Sequence, residues 1–248
     1  MFADELQNFN SITGASSAFK DISDIQERIK EFLFETLPKI SKQLANALNR
    51  NEKSLSSEIC VRLQSESEGR LFTFHNEMPE NQKATRIMDI KSSPRTSERV
   101  YCGGRHYDVI DPLFDIEVKI LPTPNCSKKK DDRSREYVVG SWNKKDIANK
   151  THKGGVERFK EEHHSANLNQ AALLALIKDN DFPYWQNNVN IWIQNLIDNP
   201  ITSHQSSWCN SDKISLTKSN MLISEYQSLH SRVTKDPIKI QHLFLKLN

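Results

Sequence analysis

The sequence predicts one α/β layered domain, and three observations lead to this prediction. Helical patterns come first along the chain, strand patterns interrupted by a pair of helices follow, and further strand patterns come last. The 248 residues are 36% hydrophobic and 27% charged, which is apolar enough to build a core and too mixed for a disordered or collagen-like chain. We find neither an internal repeat nor a clear interdomain linker, so we expect one compact unit.

The first quarter of the chain carries two helical patterns. Across residues 21–49, apolar side chains recur at spacings of three and four. Pro38 should break or kink this stretch, which predicts two helices rather than one. Another amphipathic helix is predicted from Asn51, with Glu52 in its first turn.

After this helix the pattern changes to that of short strands separated by turn residues. Strands are predicted at residues 71–74, 85–90, 107–110 and 114–121. The polar, lysine-rich stretch 122–149 is predicted to be a loop. A helix then begins at Gly154-Gly155 and another at Pro183, while the apolar run 171–177 fits either a strand or a buried helix. The last predicted strands are residues 214–218, 221–227 and 238–247.

Composition also indicates the cellular setting. No apolar run approaches the roughly 20 residues of a membrane helix, and the first ten residues lack the basic start and apolar stretch of a signal peptide. The cysteines lie far apart with no C-x-x-C pair, which argues against a disulfide framework or a zinc ribbon; they are Cys60, Cys102, Cys126 and Cys209. We therefore expect a cytoplasmic chain with no membrane partner.

The charge distribution is more informative than the net charge of +2. Residues 119–160 contain twelve basic and five acidic side chains, so this segment carries +7 while the remainder is acidic. Such a segment can present a positive face to phosphate. Lysine runs such as residues 128–130 also commonly just face water, and both interpretations stay open from sequence alone.

The most specific local feature is the segment Phe-Asp-Ile-Glu-Val-Lys-Ile at residues 114–120. Side chains alternate along a strand, so Asp115, Glu117 and Lys119 share one face, while the isoleucines and valine share the other. An acid and a lysine two residues apart thus project from a rigid element into the same space. A half-exposed strand with its polar face in water is the alternative for an isolated E-x-K.

A second acid strengthens the functional interpretation. Asp89 belongs to another short apolar strand, upstream of Glu117. If the two strands are adjacent, both carboxylates can reach one divalent cation, and such hard oxygen ligands suit Mg²⁺. Lys119 would then lie beside the ion and its water, where it could activate the water or stabilise charge on the transition state. These are the parts that metal-assisted phosphodiester hydrolysis requires.

The pattern Asp89…Glu117-Val-Lys119 resembles the D…(D/E)-x-K signature of the PD-(D/E)xK nuclease superfamily. The order of elements is similar too: a helix with an early glutamate, a hairpin with the aspartate, the E-x-K strand, a helix and a further strand. The resemblance implies that Asp89 and Glu117 bind metal and that Lys119 is the catalytic lysine. It also implies that Glu52 is an auxiliary metal ligand and that residues 171–177 form a buried strand.

The resemblance covers residues 51–177 and implies a restriction-endonuclease-like fold, a central mixed β-sheet flanked by helices. We assign this domain to residues 51–248 and an N-terminal helical extension to residues 1–50. No literal Pro-Asp precedes the E-x-K, so other acids compete with Asp89 for the first metal position: Asp108, Asp111 and Asp115. Asp89 is preferred because it ends an apolar strand, whereas Asp111 precedes a proline in a predicted turn.

The segment 153–160, Lys-Gly-Gly-Val-Glu-Arg-Phe-Lys, supplies the candidate nucleic-acid contacts. Two glycines at a helix start permit close backbone approach, and free N–H groups there attract phosphate. The candidate phosphate-binding residues are Lys153, Arg158 and Lys160. An ordinary helix start with surface charges is the alternative. We assign no metal to the nearby His163-His164 pair, because adjacent histidines on a helix point in different directions.

The sequence therefore predicts a Mg²⁺-dependent endodeoxyribonuclease of a prokaryotic defence or restriction-type system, with Mn²⁺ as a possible substitute. The expected partners are DNA and either a second copy of the chain, as a homodimer, or a partner subunit of a defence complex. One alternative is a non-catalytic nuclease-fold subunit that acts in assembly or nucleic-acid binding. Another is a nucleic-acid-binding regulator that uses the basic segment alone. The motifs do not encode sequence specificity, cleavage pattern or the choice between DNA and RNA.

Overall fold

A seven-stranded mixed β-sheet forms the centre of the computed structural model, which describes residues 16–79, 87–95, 99–123, 132–140, 154–200 and 207–247. The strands are β1 (Ser16–Phe19), β2 (Phe72–Pro79), β3 (Ile87–Pro94), β4 (Arg99–Cys102), β5 (Arg105–Tyr107), β6 (Phe114–Leu121), β7 (Gln170–Ile177), β8 (Ser215–Ser219), β9 (Ile223–His230) and β10 (Ile238–Lys246). The α-helices are α1 (Ile22–Gln43), α2 (Glu52–Glu66), α3 (Gly155–Lys160) and α4 (Phe182–Asp198). Short 3-10 turns lie at Ala47–Asn49, Asp132–Arg135 and Asn210–Asp212.

The order of strands in the large sheet is β2-β3-β6-β7-β10-β9-β8. Strands β6, β7 and β10 are parallel to one another at the centre, and antiparallel pairs extend the sheet on both sides. The apolar run 171–177 is a strand, and all side chains of Gln170–Ile177 are buried. Such a continuous apolar run is typical of a central parallel strand that is covered on both faces. The predicted α/β class is confirmed.

Helices cover both faces of the sheet and create two apolar cores. The first core contains α1, α2 and the side chains of Ile116, Val118 and Ile120. The second core contains α3, α4 and residues of the other face, including Leu121 and Leu173. The predicted alternation along β6 is therefore confirmed, and its polar residues 115, 117 and 119 point to the opposite side from the first core.

Helix α1 is continuous through Pro38, so the predicted break is wrong. Pro38 lacks the N–H that would bond one turn back. Leu33, Leu37 and Ile40 lie buried on either side of the proline, and their packing holds both halves of the helix in line. Apolar residues of α1 share the first core with those of α2, so the helical extension and the rest of the domain pack as one body.

Other sequence predictions hold in part. Helix α2 and strands β2, β6, β8, β9 and β10 lie close to their predicted positions, whereas β1 and β4 were not predicted. The strand predicted at 107–110 is wrong, because the strand ends at Tyr107 and the following residues form a turn, in which Asp108 N donates to Asp111 Oδ2 at 2.8 Å. Much of the predicted loop 122–149, and half of the basic segment 119–160, lie outside the described residues.

Among the described helices, none has the length and apolar character needed to cross a membrane. Three cysteines fall in the described ranges, and all are free thiols. Cys60 and Cys102 are buried, while Cys209 is exposed.

Candidate active site

The candidate site lies where strands β3 and β6 stop pairing. Their antiparallel register ends at the pair Ile90–Ile116. The next residues in this register are Asp89 and Glu117, which therefore face each other at the point where the strands separate. Oδ2 of Asp89 accepts a hydrogen bond of 2.8 Å from the backbone N–H of Val118. The Asp89 side chain thus replaces a backbone partner for β6, and this holds its carboxylate at the junction.

Glu52 likewise accepts a hydrogen bond from the backbone of β6, two residues farther along the strand than Asp89 does. It is the first residue of α2, a helix whose start is capped by the side chain of Asn51, which accepts from Ser54 N at 2.8 Å. One Glu52 oxygen, Oε2, accepts from the backbone N–H of Ile120 at 3.3 Å, and the other, Oε1, accepts from Lys119 Nζ at 3.0 Å. Asp89 from β3 and Glu52 from α2 therefore both accept hydrogen bonds from the backbone of β6, the E-x-K strand.

Glu117 is the electrostatic centre of the site and is completely buried. Its Oε1 lies 3.1 Å from Lys119 Nζ and 2.5 Å from Arg158 Nη1. Burial alone would raise the pKa of this carboxyl, but the positive charges of Lys119 and Arg158 outweigh burial and lower the pKa to about 2. Burial likewise opposes the charge on Lys119, whose side chain is only 7% exposed, yet Glu117 and Glu52 raise its pKa above the usual value. Both groups are thus held ionised.

The pKa of Asp89 is shifted in the opposite direction, upward. Burial, together with the negative charge of Glu117, raises its pKa to about 7, and Lys119 and the hydrogen bond from Val118 only partly offset this. Two carboxyl groups on neighbouring strands therefore have pKa values pushed far apart. Such a separation is typical of sites where one acid remains charged and the other exchanges a proton near neutral pH.

His164 belongs to this site, although no motif in the sequence assigns it a role. Its Nε2 lies 3.4 Å from Glu117 Oε2 and 3.3 Å from Arg158 Nη1. Burial, and then the neighbouring cations, lower its pKa to about 4 despite the opposing effect of Glu117, so the ring is neutral at pH 7. The objection that adjacent histidines diverge on a helix does not apply, because α3 ends at Lys160 and His164 lies in the loop that follows.

We call residues 161–169 the histidine loop, and contacts from the β9–β10 turn fix its shape. Glu162 and Ser165 adopt left-handed backbone conformations, with φ of 57° and 54°. Arg232 Nη1 donates to the carbonyls of Ser165 and Leu168, both at 3.1 Å. The Glu162 carboxylate accepts from the backbone N–H of Thr234 at 2.5 Å and from its hydroxyl at 2.7 Å. Long-range hydrogen bonds, rather than the local sequence, place His164 against Glu117.

The glycine pair at the start of α3 does not provide a phosphate site, so that prediction is wrong. A Cβ atom on Gly154 would lie 2.3 Å from the backbone of Val139, which explains why only glycine fits there. The first N–H groups of the helix already donate to backbone carbonyls, Gly155 to Glu136 at 2.9 Å and Val156 to Tyr137 at 3.1 Å. The pair permits close packing of two backbone segments.

The predictions for the three candidate phosphate-binding residues have different outcomes. Arg158 reaches Glu117, and its side chain remains 25% exposed. Lys160 is fully buried, with Nζ 2.7 Å from Asp212 Oδ1 and 4.8 Å from the centre of the Trp208 ring. The assignment of Lys160 to nucleic-acid binding is wrong for this conformation, because a buried, paired ammonium cannot contact a phosphate backbone. Lys153 lies outside the described residues.

Lys160 begins a buried chain of polar contacts that ties α3 to strands β9 and β10. Asp212 Oδ1 lies 2.6 Å from His230 Nδ1, and Ser228 Oγ contacts the Nε2 atoms of two histidines at 2.6 and 2.7 Å. The chain ends at Tyr137, whose hydroxyl lies 2.8 Å from His242 Nδ1. Its members are Lys160, Asp212, His230, Ser228, His242 and Tyr137, and we call them the polar chain. They fix both α3 and the segment that packs against its start.

Among the acids that competed for the first metal position, Asp89 is the one at the end of the β3–β6 ladder. Asp111 pairs with Arg105 at 2.9 Å and shares a turn with Asp108. Asp115 is buried on the same face as Glu117, and its Oδ2 accepts from Ser165 Oγ at 2.8 Å. The geometry therefore favours Asp89 as the acid that acts together with Glu117.

The donors at the ladder end fit a hard divalent cation in their chemistry. Within the described ranges, no three carboxylate, imidazole or thiolate groups already stand together as a metal site. Mg²⁺, however, uses few carboxylates and completes its shell with water and phosphate oxygens. Oε2 of Glu117 is buried and has no hydrogen bond, so one oxygen of the central carboxylate remains available for a ligand.

Comparison with known protein families, curated proteins and solved structures finds no match for this chain. The interpretation of the site therefore depends on its geometry and chemistry.

Proposed function

We propose that this protein is a divalent-metal-dependent nuclease that hydrolyses phosphodiester bonds in DNA, acting as an endonuclease of a prokaryotic defence or restriction-type system. The observation that carries the proposal is the meeting of Asp89, Glu117 and Lys119 where β3 and β6 separate. These are the three groups that metal-assisted hydrolysis requires, and the difference between the pKa values of the two acids supports a chemical role.

The order of elements supports a restriction-endonuclease-like arrangement. Helix α2 begins with Glu52, the β2–β3 hairpin carries Asp89, and β6 carries Glu117 and Lys119. Helix α3 and the parallel strand β7 follow. This is the order that the resemblance to PD-(D/E)xK nucleases implies. The proximity of Glu52, Asp89, Glu117 and Lys119 at the junction of β3 and β6 supports the proposal.

Each residue of the site has a separate role in the proposed hydrolysis. Asp89 and Glu117 would hold a divalent cation, with Glu52 as auxiliary ligand, and the cation would supply Lewis-acid chemistry toward the phosphate and the attacking water. Lys119 stays protonated between its acidic neighbours and stabilises the negative charge that develops on the phosphoryl oxygens. Arg158 exchanges its contact with Glu117 for one with substrate phosphate, which a guanidinium binds well. Glu117 remains charged throughout.

A non-catalytic nuclease-fold subunit is the second candidate function, and the burial of Glu117 favours it. The carboxylate is fully buried and already paired with Lys119 and Arg158. A site that had lost catalysis could retain such ion pairs as structural contacts. Calorimetry with Mn²⁺ distinguishes the two functions, because a nuclease binds the metal through Asp89 and Glu117, whereas a structural subunit shows no binding that depends on these acids.

The decisive test is incubation of the protein with supercoiled plasmid DNA, with and without Mg²⁺ or Mn²⁺. We expect metal-dependent nicking by the wild type and a loss of at least about 100-fold in Glu117→Gln and Lys119→Met, which keep side-chain volume. Glu58→Gln is the matched control, because Glu58 is an acid of α2 that pairs with Arg50 and Arg62 away from the site. Equal cleavage by Lys119→Met and wild type would exclude the proposed mechanism.

A further inference from the structure

A small cavity of about 50 Å³ lies beside the candidate active site, along the same two strands. Its polar lining comes from Asp115, Lys91, Ser165 and Asn167, and its apolar lining includes Met88, Pro112 and Leu168. This volume exceeds what a single water molecule needs, so the cavity has room for a small group of heavy atoms.

Asp115 gives the cavity its chemical character. The residue is 3% exposed, and its Oδ2 accepts the hydrogen bond from Ser165 Oγ. Its Oδ1 is buried and has no hydrogen bond. A buried carboxylate oxygen without a partner is unfavourable unless water or a ligand donates to it. The cavity therefore selects a ligand that carries N–H or O–H donors.

The charge balance favours a neutral donor over a cation. Lys91 lies on β3 next to the cavity, its Nζ donates to the Ile110 carbonyl at 2.7 Å, and its positive charge acts on Asp115. The Asp115 charge is thus partly balanced within the protein. Met88, Pro112 and Leu168 add apolar walls, which suit the flat surface of a ring. Together these features match the amino-bearing edge of a heteroaromatic ring.

The position of the cavity links it to the candidate catalytic groups. Asp115 and Glu117 point to the same face of β6, and two residues along a strand span about 7 Å. The histidine loop also connects the two places, since His164 contacts Glu117 while the next residue, Ser165, contacts Asp115. A group that enters the cavity would therefore lie next to the phosphate held at Glu117 and Lys119.

We propose that the Asp115 cavity binds the amino-bearing edge of the nucleobase next to the phosphate that is cleaved, and that it determines base preference. This inference rests on the proposed nuclease function. Aspartate accepts hydrogen bonds from the exocyclic amino group of cytosine, whereas uracil and thymine present a carbonyl oxygen at that position. The carboxylate oxygen Oδ1 would gain a partner from an amino-bearing base and repel a carbonyl oxygen.

Binding of dCMP and dUMP to the metal-free protein tests this directly, because the two probes differ only on the Watson–Crick edge, where dCMP has an amino group and an N3 acceptor and dUMP has a carbonyl oxygen and an N3–H donor. We expect the wild type to bind dCMP on the order of tenfold more tightly than dUMP in calorimetry or NMR titration. Asp115→Asn should abolish the difference, because the amide presents an NH₂ group in place of one carboxylate oxygen. Asp111→Asn, in the turn before β6, is the matched control and should keep the difference.

A second variant tests the cavity even if Asp115→Asn fails to fold. Ala166 lines the cavity and is partly exposed, so Ala166→Leu should fill the space from its rim and remove the preference for dCMP while the melting temperature stays unchanged. Equal affinity of the wild type for both probes, or no binding of either, overturns the inference. If the protein cleaves plasmid DNA but binds dCMP and dUMP equally, the base-binding cavity is refuted and the nuclease function stands. If it distinguishes dCMP from dUMP but does not cleave plasmid DNA, the nuclease function is refuted and the cavity still binds the base.

Discussion

Arg158 and Glu117 form an ion pair of 2.5 Å at the oxygen that also contacts Lys119. A divalent cation bound to the Glu117 carboxylate would compete with the guanidinium for its negative charge. Arg158→Ala should therefore bind Mn²⁺ about five- to tenfold more tightly than the wild type, while DNA cleavage falls because a phosphate contact is lost. Isothermal calorimetry and plasmid nicking measure the two effects. Arg62→Ala, on the surface of α2, is the control for charge alone. Weaker Mn²⁺ binding by Arg158→Ala would contradict the competition.

The raised pKa of Asp89 predicts how stability and metal binding depend on pH. A carboxyl whose pKa is raised in the folded state favours folding at low pH, and this contribution is lost as pH rises toward about 7. The stability of Asp89→Asn relative to the wild type should therefore increase by up to about 3 kcal/mol between pH 5 and pH 8. Urea denaturation across this range measures the difference. A constant difference would show that Asp89 is ionised throughout.

Metal affinity should also depend on the protonation of Asp89, but it should rise with pH, whereas the stability contribution of Asp89 falls. Because a cation requires the deprotonated carboxylate, the affinity of the wild type for Mn²⁺ should fall about tenfold per pH unit below pH 7. Asp89→Asn should bind weakly and show a much flatter dependence on pH. Titrations at pH 5.5, 6.5 and 7.5 make the comparison. Identical pH dependence in the two proteins would assign the titration to another group.

Breaking the polar chain should destabilise the fold strongly. In Asp212→Asn, the buried ammonium of Lys160 loses its ionised partner, which we expect to lower the free energy of unfolding by about 3–5 kcal/mol. The double variant Asp212→Asn with Lys160→Met should recover part of this loss, because it removes the unpaired charge. Urea denaturation of the wild type, Asp212→Asn, Lys160→Met and the double variant gives the coupling energy. Additive effects of the two substitutions would refute the coupling, and Asp198→Asn at the end of α4 serves as a surface control.

Pro38 offers a simple test of its unexpected position inside α1. Pro38→Ala restores a backbone N–H and removes the steric conflict of the ring, so the free energy of unfolding should rise by about 1–3 kcal/mol. Thermal denaturation measures the change, with Lys39→Ala on the exposed face as control. A loss of stability would mean that the proline ring contributes packing that exceeds the cost of the missing hydrogen bond.

Local pattern was sufficient to predict the E-x-K strand and the residues that share its face. The alternation of side chains depends only on strand geometry, so Glu117 and Lys119 were assigned to one face without knowledge of the fold. The pairing of β3 with β6, which brings Asp89 to Glu117, entered the sequence analysis only as a condition of the metal-site hypothesis. The alternation did not reveal that the Lys119 ammonium lies in a buried ion-pair cluster with Glu52 and Glu117.

Features set by distant contacts could not be predicted in this way. His164 reaches the site because Arg232 and Thr234, more than sixty residues away, fix the histidine loop. Lys160 looks like an ordinary surface lysine in the sequence, and its burial depends on Asp212, which comes 52 residues later. The continuity of α1 through Pro38 likewise depends on packing against the sheet, which helical propensity does not reveal.

The polar chain also limits how Arg158 can leave Glu117. Helix α3 is anchored at its last residue through Lys160, and the segment packed against its first turn is anchored through Tyr137. With the backbone held at both places, the guanidinium can leave Glu117 only by rotation about its own side-chain bonds. The exchange between a resting and a loaded state would then need no hinge, and its speed would be set by ion exchange at Glu117.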